Sequence, residues 1–341
     1  MSKLSDRLGR PIRNLRLSVT DRCNLRCQYC MPEAEYRWLP KDDLLSFEEI
    51  ARIVDQFTKI GVDRVRITGG EPLLRRQLSV LIQALAERTE LRDIAMTTNA
   101  VLLEKHAQEL KDAGLHRVTV SLDTLDPETF QMLARSDDLE RVHEGLRAAR
   151  EVGFENTKID TVAIRGVNDG EFAELIGYGK SVGAEVRFIE YMDVGGATRW
   201  RMDRVVSRAR ILEILSAKFG SIRELPRHDA APADRFELKD GTTFGIISSV
   251  TQPFCATCDR ARLTADGMWF TCLYAETGTD LRQLVRSGAS DEALHEKLIE
   301  VWAARHDRGA EVRAGMKDRA PLAELANLRA NPHLEMHTRG G

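Results

Sequence analysis

Six cysteines stand in two tight groups, Cys23, Cys27 and Cys30 near the start and Cys255, Cys258 and Cys272 in the last third, with none between. Thiols gathered this way read as metal ligands, because packing alone gives them no reason to cluster. A closed tetrahedral zinc site wants four ligands, from two Cys-x-x-Cys pairs or a Cys/His mixture, and neither group supplies four cysteines. A cubane iron–sulfur cluster ordinarily takes four thiolates, so three would leave one iron without a protein ligand. An open coordination position is what catalytic sites keep and structural sites close. Twice three therefore suggests two clusters that each bind a small molecule, against the plainer alternatives of mixed zinc sites or buried core thiols.

Composition narrows the setting for that chemistry. Lys and Arg number 50 against 53 Asp and Glu, a net charge of −3, which argues against a polybasic nucleic-acid or membrane binder. No apolar run is long enough to span a bilayer, and the first residues carry charge throughout with no apolar stretch of the signal-peptide kind. The expectation is a globular chain of the cytoplasm, where structural disulfides are rare and metal ligation by cysteine is the natural reading.

The elements that must position the cysteines follow from periodicity. Strand patterns fall at Leu15 to Val19, Arg64 to Thr68, Asp93 to Thr97, Arg117 to Ser121, Lys158 to Ala163 and Glu185 to Ile189. Helical patterns lie between them, the clearest from Phe47 to Ile60, with others near Arg76 to Arg88, Leu103 to Asp112, Leu139 to Val152 and Phe172 to Val182. Gly61, Gly114, Gly153 and Gly183 each follow a predicted helix, where a left-handed terminator is expected. Six alternations imply parallel βα units, hence a doubly wound sheet or a partial or full barrel. After a helix near Arg208 to Phe219, a turn-rich stretch marks a lobe boundary, giving 1–220 and 221–341. The second part carries strand-like pieces at Phe236 to Leu238, Thr243 to Ile247 and Met268 to Thr271, then helices near Leu281 to Arg286 and Asp291 to Ala304. The final six residues show no periodicity.

In a parallel barrel the reactive groups sit at the C-terminal ends of the strands. The Cys23/Cys27/Cys30 loop follows the first predicted strand, Gly69-Gly70-Glu71-Pro72 the second and Glu190-Tyr191-Met192 the sixth, while Thr97-Thr98-Asn99 and Ser121-Leu122-Asp123 end the third and fourth. All converge on one rim. Taken singly, the glycine pair could be an ordinary turn, and Thr97, Asn99 and Ser121 could merely cap helices. Arginines on strands ordinarily face solvent or a salt bridge, but helices cover the outside of such a barrel, so an inward position with an anionic ligand accounts better for Arg16, Arg64 and Arg66. The eight histidines offer no ligand spacing and receive no role.

With Tyr29 before the last cysteine of Cys23-x-x-x-Cys27-x-x-Cys30, and Gly69-Gly70-Glu71-Pro72 one βα unit later, the sequence resembles the radical S-adenosylmethionine (SAM) superfamily. The stretches from Leu15 to Asn24 and Arg66 to Pro72, Arg187-Phe188-Ile189-Glu190, Phe254-Cys255-x-x-Cys258-x-Arg260-x-Arg262-Leu263 and the terminal Gly340-Gly341 resemble the GTP 3′,8-cyclase (molybdenum cofactor biosynthesis protein A) family. That resemblance implies a partial (βα)6 TIM-type barrel with a smaller α+β C-terminal lobe that holds the second cluster. It implies two [4Fe-4S] clusters: one on Cys23, Cys27 and Cys30 that binds SAM, and one on Cys255, Cys258 and Cys272 that faces the substrate.

The resemblance further places Tyr29, Gly70, Glu71, Ser121 and Met192 at SAM. It places Arg16, Arg66, Thr97, Lys158, Arg187, Arg260 and Arg262 at GTP, whose triphosphate suits forked guanidinium donors, and Arg64, two residues from Arg66 on the same strand face, is added to them. Arg16 and the tail residues Gly340 and Gly341 are expected at the catalytic centre. The implied reaction closes C3′ of GTP onto C8, the first step toward molybdopterin, with cyclic pyranopterin monophosphate synthase as the next enzyme, a flavodoxin-type electron donor and a homodimer as further expectations. The rivals are a radical SAM enzyme acting on a peptide or another small molecule, a non-enzymatic iron–sulfur electron carrier, and a structural zinc protein.

Overall fold

The computed structural model describes residues 4–33, 35–227 and 230–340. Six strands form its centre: β1 (Asn14–Ser18), β2 (Arg64–Thr68), β3 (Asp93–Thr98), β4 (Arg117–Ser121), β5 (Lys158–Ala163) and β6 (Glu185–Glu190). The helices interleaved with them are α1 (Phe47–Lys59), α2 (Leu78–Ala86), α3 (Leu103–Asp112), α4 (Pro127–Ala134), α5 (Leu139–Glu151) and α6 (Phe172–Val182), followed by α7 (Arg208–Phe219). The strands β7 (Arg223–Glu224), β8 (Asp234–Glu237), β9 (Thr243–Ile247), β10 (Arg260–Leu263), β11 (Met268–Phe270) and β12 (Thr279–Asp280) come next. The helices α8 (Leu281–Arg286), α9 (Asp291–Ala304), α10 (Gly309–Ala314), α11 (Leu325–Ala330) and α12 (Met336–Arg339) complete the chain.

The helix α1 shows how sequence sets an element. Ser46 accepts from the Glu49 N–H at 3.2 Å while the Glu49 carboxylate accepts from the Ser46 N–H at 2.8 Å, a reciprocal cap at the helix start. Ile50, Ile53, Val54 and Phe57 recur at helical spacing and are buried against the sheet. Each such side chain contributes roughly 1.5–3 kcal/mol on burial. All four terminator glycines expected from the sequence take positive φ.

The sheet runs β12-β11-β10-β1-β2-β3-β4-β5-β6-β9-β8-β7. The six βα strands are parallel neighbours in sequence order, the open barrel expected from the alternation. Two strands from the later part of the chain lengthen the parallel run: β10 joins β1, and β9 joins β6. Antiparallel partners then finish both edges. The elements not anticipated are the short strands β7 and β12, the short helices α10 and α11, β10, which pairs with distant β1 as well as with β11, α4, a short helix capped by Asp126, and α12, inside the tail that showed no periodicity.

Alternation along the strands divides apolar from polar. Leu15 and Leu17 on β1, and Val65 and Ile67 on β2, are buried in the apolar core that includes the helices. Arg16 and Arg66 lie between them and point the other way, into the barrel. The layer under the helices is therefore aliphatic, whereas the barrel interior is charged.

Candidate active site

Both cysteine groups open onto one cavity of about 310 Å³. Cys23, Cys27 and Cys30 line it from the loop after β1, and Cys255, Cys258 and Cys272 line it from the segments flanking β10 and β11. Two groups of three cysteines separated by most of the chain thus meet across a space of small-molecule size.

The first loop is held by close backbone approach. A Cβ on Gly70 would lie 2.3 Å from the Arg22 carbonyl oxygen, and one on Gly69 would lie 2.3 Å from that of Thr20. Gly70 N–H donates to the Thr20 carbonyl at 2.9 Å and Glu71 N–H to that of Arg22 at 2.8 Å. Only residues without side chains let the β2 rim dock there.

Tyr29, Gly70, Ser121 and Met192 all line the cavity. The Tyr29 hydroxyl donates to Asp123 at 2.6 Å, and burial pushes the Asp123 carboxyl up to about 6. Glu71 differs from its expected place at the cofactor. It is buried outside the cavity lining and accepts from Leu73 N–H (3.0 Å), the Thr98 hydroxyl (2.8 Å) and Asn99 N–H (2.8 Å). These three bonds hold the carboxylate between its own turn and the β3 rim, where it positions Asn99. Asn99 in turn reaches Asn24 and the Cys23 sulfur.

The cationic residues form rows fixed by register. Arg262, Arg16 and Arg66 are lateral partners on β10, β1 and β2, and Arg260, Asn14 and Arg64 form the parallel row one repeat below. Thr97, Thr119 and Lys158 form a different register row across β3, β4 and β5, the β3 partner of Arg66 being Ala95, and Arg66 reaches over to donate to Thr119 at 2.9 Å and Thr97 at 3.3 Å. Burial, then Arg262, Arg66 and Arg260 in that order, hold the Arg16 guanidinium well below its ordinary value. Three guanidiniums in one row repel one another, and an anion between them relieves that repulsion.

Arg16, Arg260 and Arg262 line the cavity between the cysteine groups. Lys158 and Arg187 line a second cavity, of about 1180 Å³, among residues at the opposite, N-terminal ends of β3 to β6. Arg64 stays near that end beside Asp63. The expected anion site thus extends along the barrel interior instead of gathering at the rim.

The tail enters the same space. The Gly340 carbonyl accepts from Arg16 Nη1 at 3.2 Å, and His337, Thr338 and Arg339 are almost fully buried. Met336 and His337 line the cavity, so a histidine that its spacing left without a role belongs to the site. His337 packs edge-on against Tyr36 and Trp38. Gly341 lies outside the described residues.

The sulfur environments suit iron–sulfur ligation. Cys23 accepts from Leu25 N–H at 3.4 Å and Cys272 from Tyr274 N–H at 3.4 Å, while Cys258 accepts from Arg305 at 3.4 Å and Arg260 at 3.6 Å. Among the described residues no three such side chains converge on one point as ligands of a single ion. A cluster takes one thiolate per iron and does not require that convergence. Burial pushes the Cys23 thiol up to about 11. Burial acts on Cys258 too, but Arg260 and Arg305 outweigh it and bring that thiol down to about 6.

Sequence reasoning missed Asp193, which is wholly buried and accepts from Arg319 (2.7 and 2.8 Å), from Arg313 and from the Tyr274 hydroxyl (3.1 Å). It ties the segment after α10 to the barrel beside Cys272. No local motif announces it, because its partners lie more than one element away.

Comparison with known proteins agrees with this geometry. A model of the radical SAM superfamily matches residues 17–178, and one described as Molybdenum Cofactor Synthesis C matches residues 184–311. The chain is 53% identical over 344 residues to GTP 3′,8-cyclase 3 of Mycobacterium bovis, covering 100% of this chain and 91% of that relative. It is 46% identical over 317 residues to GTP 3′,8-cyclase of Aquifex aeolicus, covering 92% and 96%. The fold is shared with Streptococcus suis SuiB, solved with S-adenosylmethionine, at a TM-score of 0.61 and 16% identity over 92% of this chain and 76% of SuiB. This chain belongs to the GTP 3′,8-cyclase family of the radical SAM superfamily.

Proposed function

We propose that this chain converts GTP to (8S)-3′,8-cyclo-7,8-dihydroguanosine 5′-triphosphate, a SAM-dependent lyase reaction in the first step of molybdenum cofactor biosynthesis. One observation carries the reading: both cysteine groups and the arginines of the β10–β1 register line a single cavity. As a radical SAM protein the chain uses SAM and iron–sulfur chemistry. In the finer assignment, Cys23, Cys27 and Cys30 hold one [4Fe-4S] cluster and Cys255, Cys258 and Cys272 another. With SAM bound, the first cluster would supply the electron that cleaves SAM into methionine and a 5′-deoxyadenosyl radical, the species that would take the 3′ hydrogen of GTP.

The chain's own residues do the rest by position. Tyr29, Gly70, Ser121 and Met192 frame SAM, with Glu71 fixing the rim behind them. Arg16, Arg66 and Arg262 form the row that meets the nucleotide's negative charge, Thr97 supports Arg66, and Arg260 stands beside the second cysteine group. Lys158 and Arg187, with Arg64 near them, continue the positive path toward the N-terminal mouth. The buried tail up to Gly340 closes one side of the cavity and excludes water from a radical reaction, and we assign Gly341, which lies outside the described residues, to the same catalytic centre. GTP is the substrate partner. The next enzyme is cyclic pyranopterin monophosphate synthase, a flavodoxin-type protein donates electrons, and two copies form a homodimer. We divide the chain into a barrel, 1–220, and a cluster-binding lobe, 221–341. No helix among the described residues is long and apolar enough to cross a membrane, in keeping with a cytoplasmic place of action.

The test is anaerobic reconstitution with iron and sulfide, then SAM, a reductant and GTP. About eight irons per chain with both 5′-deoxyadenosine and cyclised nucleotide support the reading. Formation of 5′-deoxyadenosine with GTP untouched would return the substrate to a peptide or another small molecule. Intact clusters yielding neither product would favour an electron carrier.

A further inference from the structure

Behind the second cysteine group lies a charge network that the reaction as described does not use. The Arg305 side chain is 1% exposed. Its guanidinium donates to the Cys258 carbonyl at 2.8 Å and to the Cys258 sulfur at 3.4 Å. Trp302 stacks under it at 4.5 Å, Asp307 accepts from its Nε at 3.4 Å, and Asp6 lies 3.5 Å from its Nη1. Arg10, 2% exposed, completes the set: it bonds Asp6 at 2.6 Å, the Cys255 carbonyl at 3.0 Å and the Asp307 carbonyl at 2.9 Å. Two guanidiniums and two carboxylates thus balance one another in the interior, and the forked donors that remain are directed at the backbone and sulfur of two cysteines.

A buried ion network of this kind is not explained by stability, because apolar residues of similar volume often do as well. Its directional content is the guanidinium on a sulfur. Hydrogen bonds and positive charge at ligand sulfurs stabilise the reduced, more negative state of a cluster and raise its potential. In the first cysteine group the described donors to sulfur, Leu25 N–H and Asn99 at Cys23, are uncharged.

We infer that Arg305 is a tuning residue that sets the second cluster at a higher reduction potential than it would otherwise have, with Asp6, Arg10 and Asp307 holding it in place. This rests on reading Cys255, Cys258 and Cys272 as ligands of a cluster. The electron needed to cleave SAM then remains with the first cluster's more reducing couple, while the second serves the substrate side.

The test uses the full chain with Cys23, Cys27 and Cys30 replaced by serine, reconstituted anaerobically so that the second cluster is read alone. Iron per chain and the midpoint in an EPR-monitored redox titration are compared for this parent and for the same chain with Arg305→Gln, Arg305→Lys or Asp307→Asn. The expected result is iron equal to the parent's, a lower midpoint for Arg305→Gln, and smaller shifts in the same direction for the other two. An unchanged midpoint in an iron-replete Arg305→Gln chain overturns the tuning role. Loss of iron in both Arg305 variants also overturns it, by making the residue a clamp on the loop. A parent that binds no iron refutes the cluster reading itself, a separate and earlier failure.

Discussion

Lys158 gives the sharpest handle on the proposed nucleotide path. Its ammonium lies on the second cavity, donates to the Asn156 carbonyl at 2.9 Å and faces Arg187 and Arg117. Burial first, and then those two guanidiniums, bring it down from 10.5 to about 7. Without ligand, the unfolded chain therefore binds more protons than the folded one between about pH 7 and 10.5, and stability rises with pH across that window. A triphosphate beside Lys158 favours the charged form, so binding above neutrality takes up a proton. At about pH 8, roughly one free chain in ten carries that proton, and uptake is about 0.9 proton per nucleotide. Affinity falls by about tenfold per pH unit above 7 until the bound lysine itself titrates, each unit being about 1.4 kcal/mol. Calorimetry of GTP binding without reductant, in buffers of differing ionisation heat at fixed salt, reads the proton count directly. Lys158→Arg should bind with no uptake and a flat pH profile, and Lys158→Met should bind weakly with none. Tight binding by the parent chain with no uptake at pH 8, or uptake that persists in Lys158→Met, would refute the placement of phosphate at this residue.

Other expectations follow from single contacts. Gly70→Ala puts a Cβ 2.3 Å from the Arg22 carbonyl and 2.8 Å from that of Asp21, so the cysteine loop must move; iron should fall by about half, with SAM cleavage lost, as iron analysis and 5′-deoxyadenosine formation will show. Gly340→Ala meets a left-handed φ of +70° and a contact of 2.4 Å to Thr68 Cγ2; the backbone cost alone, about 1–2 kcal/mol, predicts roughly tenfold slower cyclisation with iron unchanged, and undiminished turnover would remove the tail from the site. Asp193→Asn leaves Arg319 and Arg313 without their buried counter-charge and should cost about 3–5 kcal/mol, read as a lower midpoint in thermal unfolding. Arg262→Leu removes a member of the repelling row; the ligand-free chain should melt higher, yet lose most of the stabilisation of about 2.7 kcal/mol that GTP gives a competent site at a hundred times its Kd.

What could be read from the sequence depended on whether the signal was local. The six βα strands carry their own alternation, and α1 carries its cap and apolar stripe within a few turns, so both stand in the structure near their expected bounds. The helix α4 escaped because its eight residues offer barely two turns of periodicity, although Asp126 accepts from Thr129 N–H at 2.7 Å as a cap should. The strand β10 escaped for a different reason. Its four residues Arg260 to Leu263 carry two arginines and little alternation of their own, and the strand is set by pairing with distant β1 on one side and with β11 on the other. Glu71 shows the complementary error. Its motif placed it correctly at the rim, but spacing cannot say that three donors from β3 and its own turn would take up its carboxylate.

That same non-local pairing is what makes a site out of two separated motifs. Arg16 and Arg66 come from adjacent βα units, whereas Arg262 arrives from beside the second cysteine group, and the β10–β1 register sets all three in one row. Closing that row brings like charges together, and the aliphatic neighbours Leu15, Leu17, Ala261 and Leu263, all buried on the opposite face, offset the repulsion. Burial on one face of the strands thus stabilises a charged arrangement on the other that would not form by itself. The barrel is consequently assembled around a ready-made row of guanidiniums, and the residues that complete it are those that carry the second cysteine group into place.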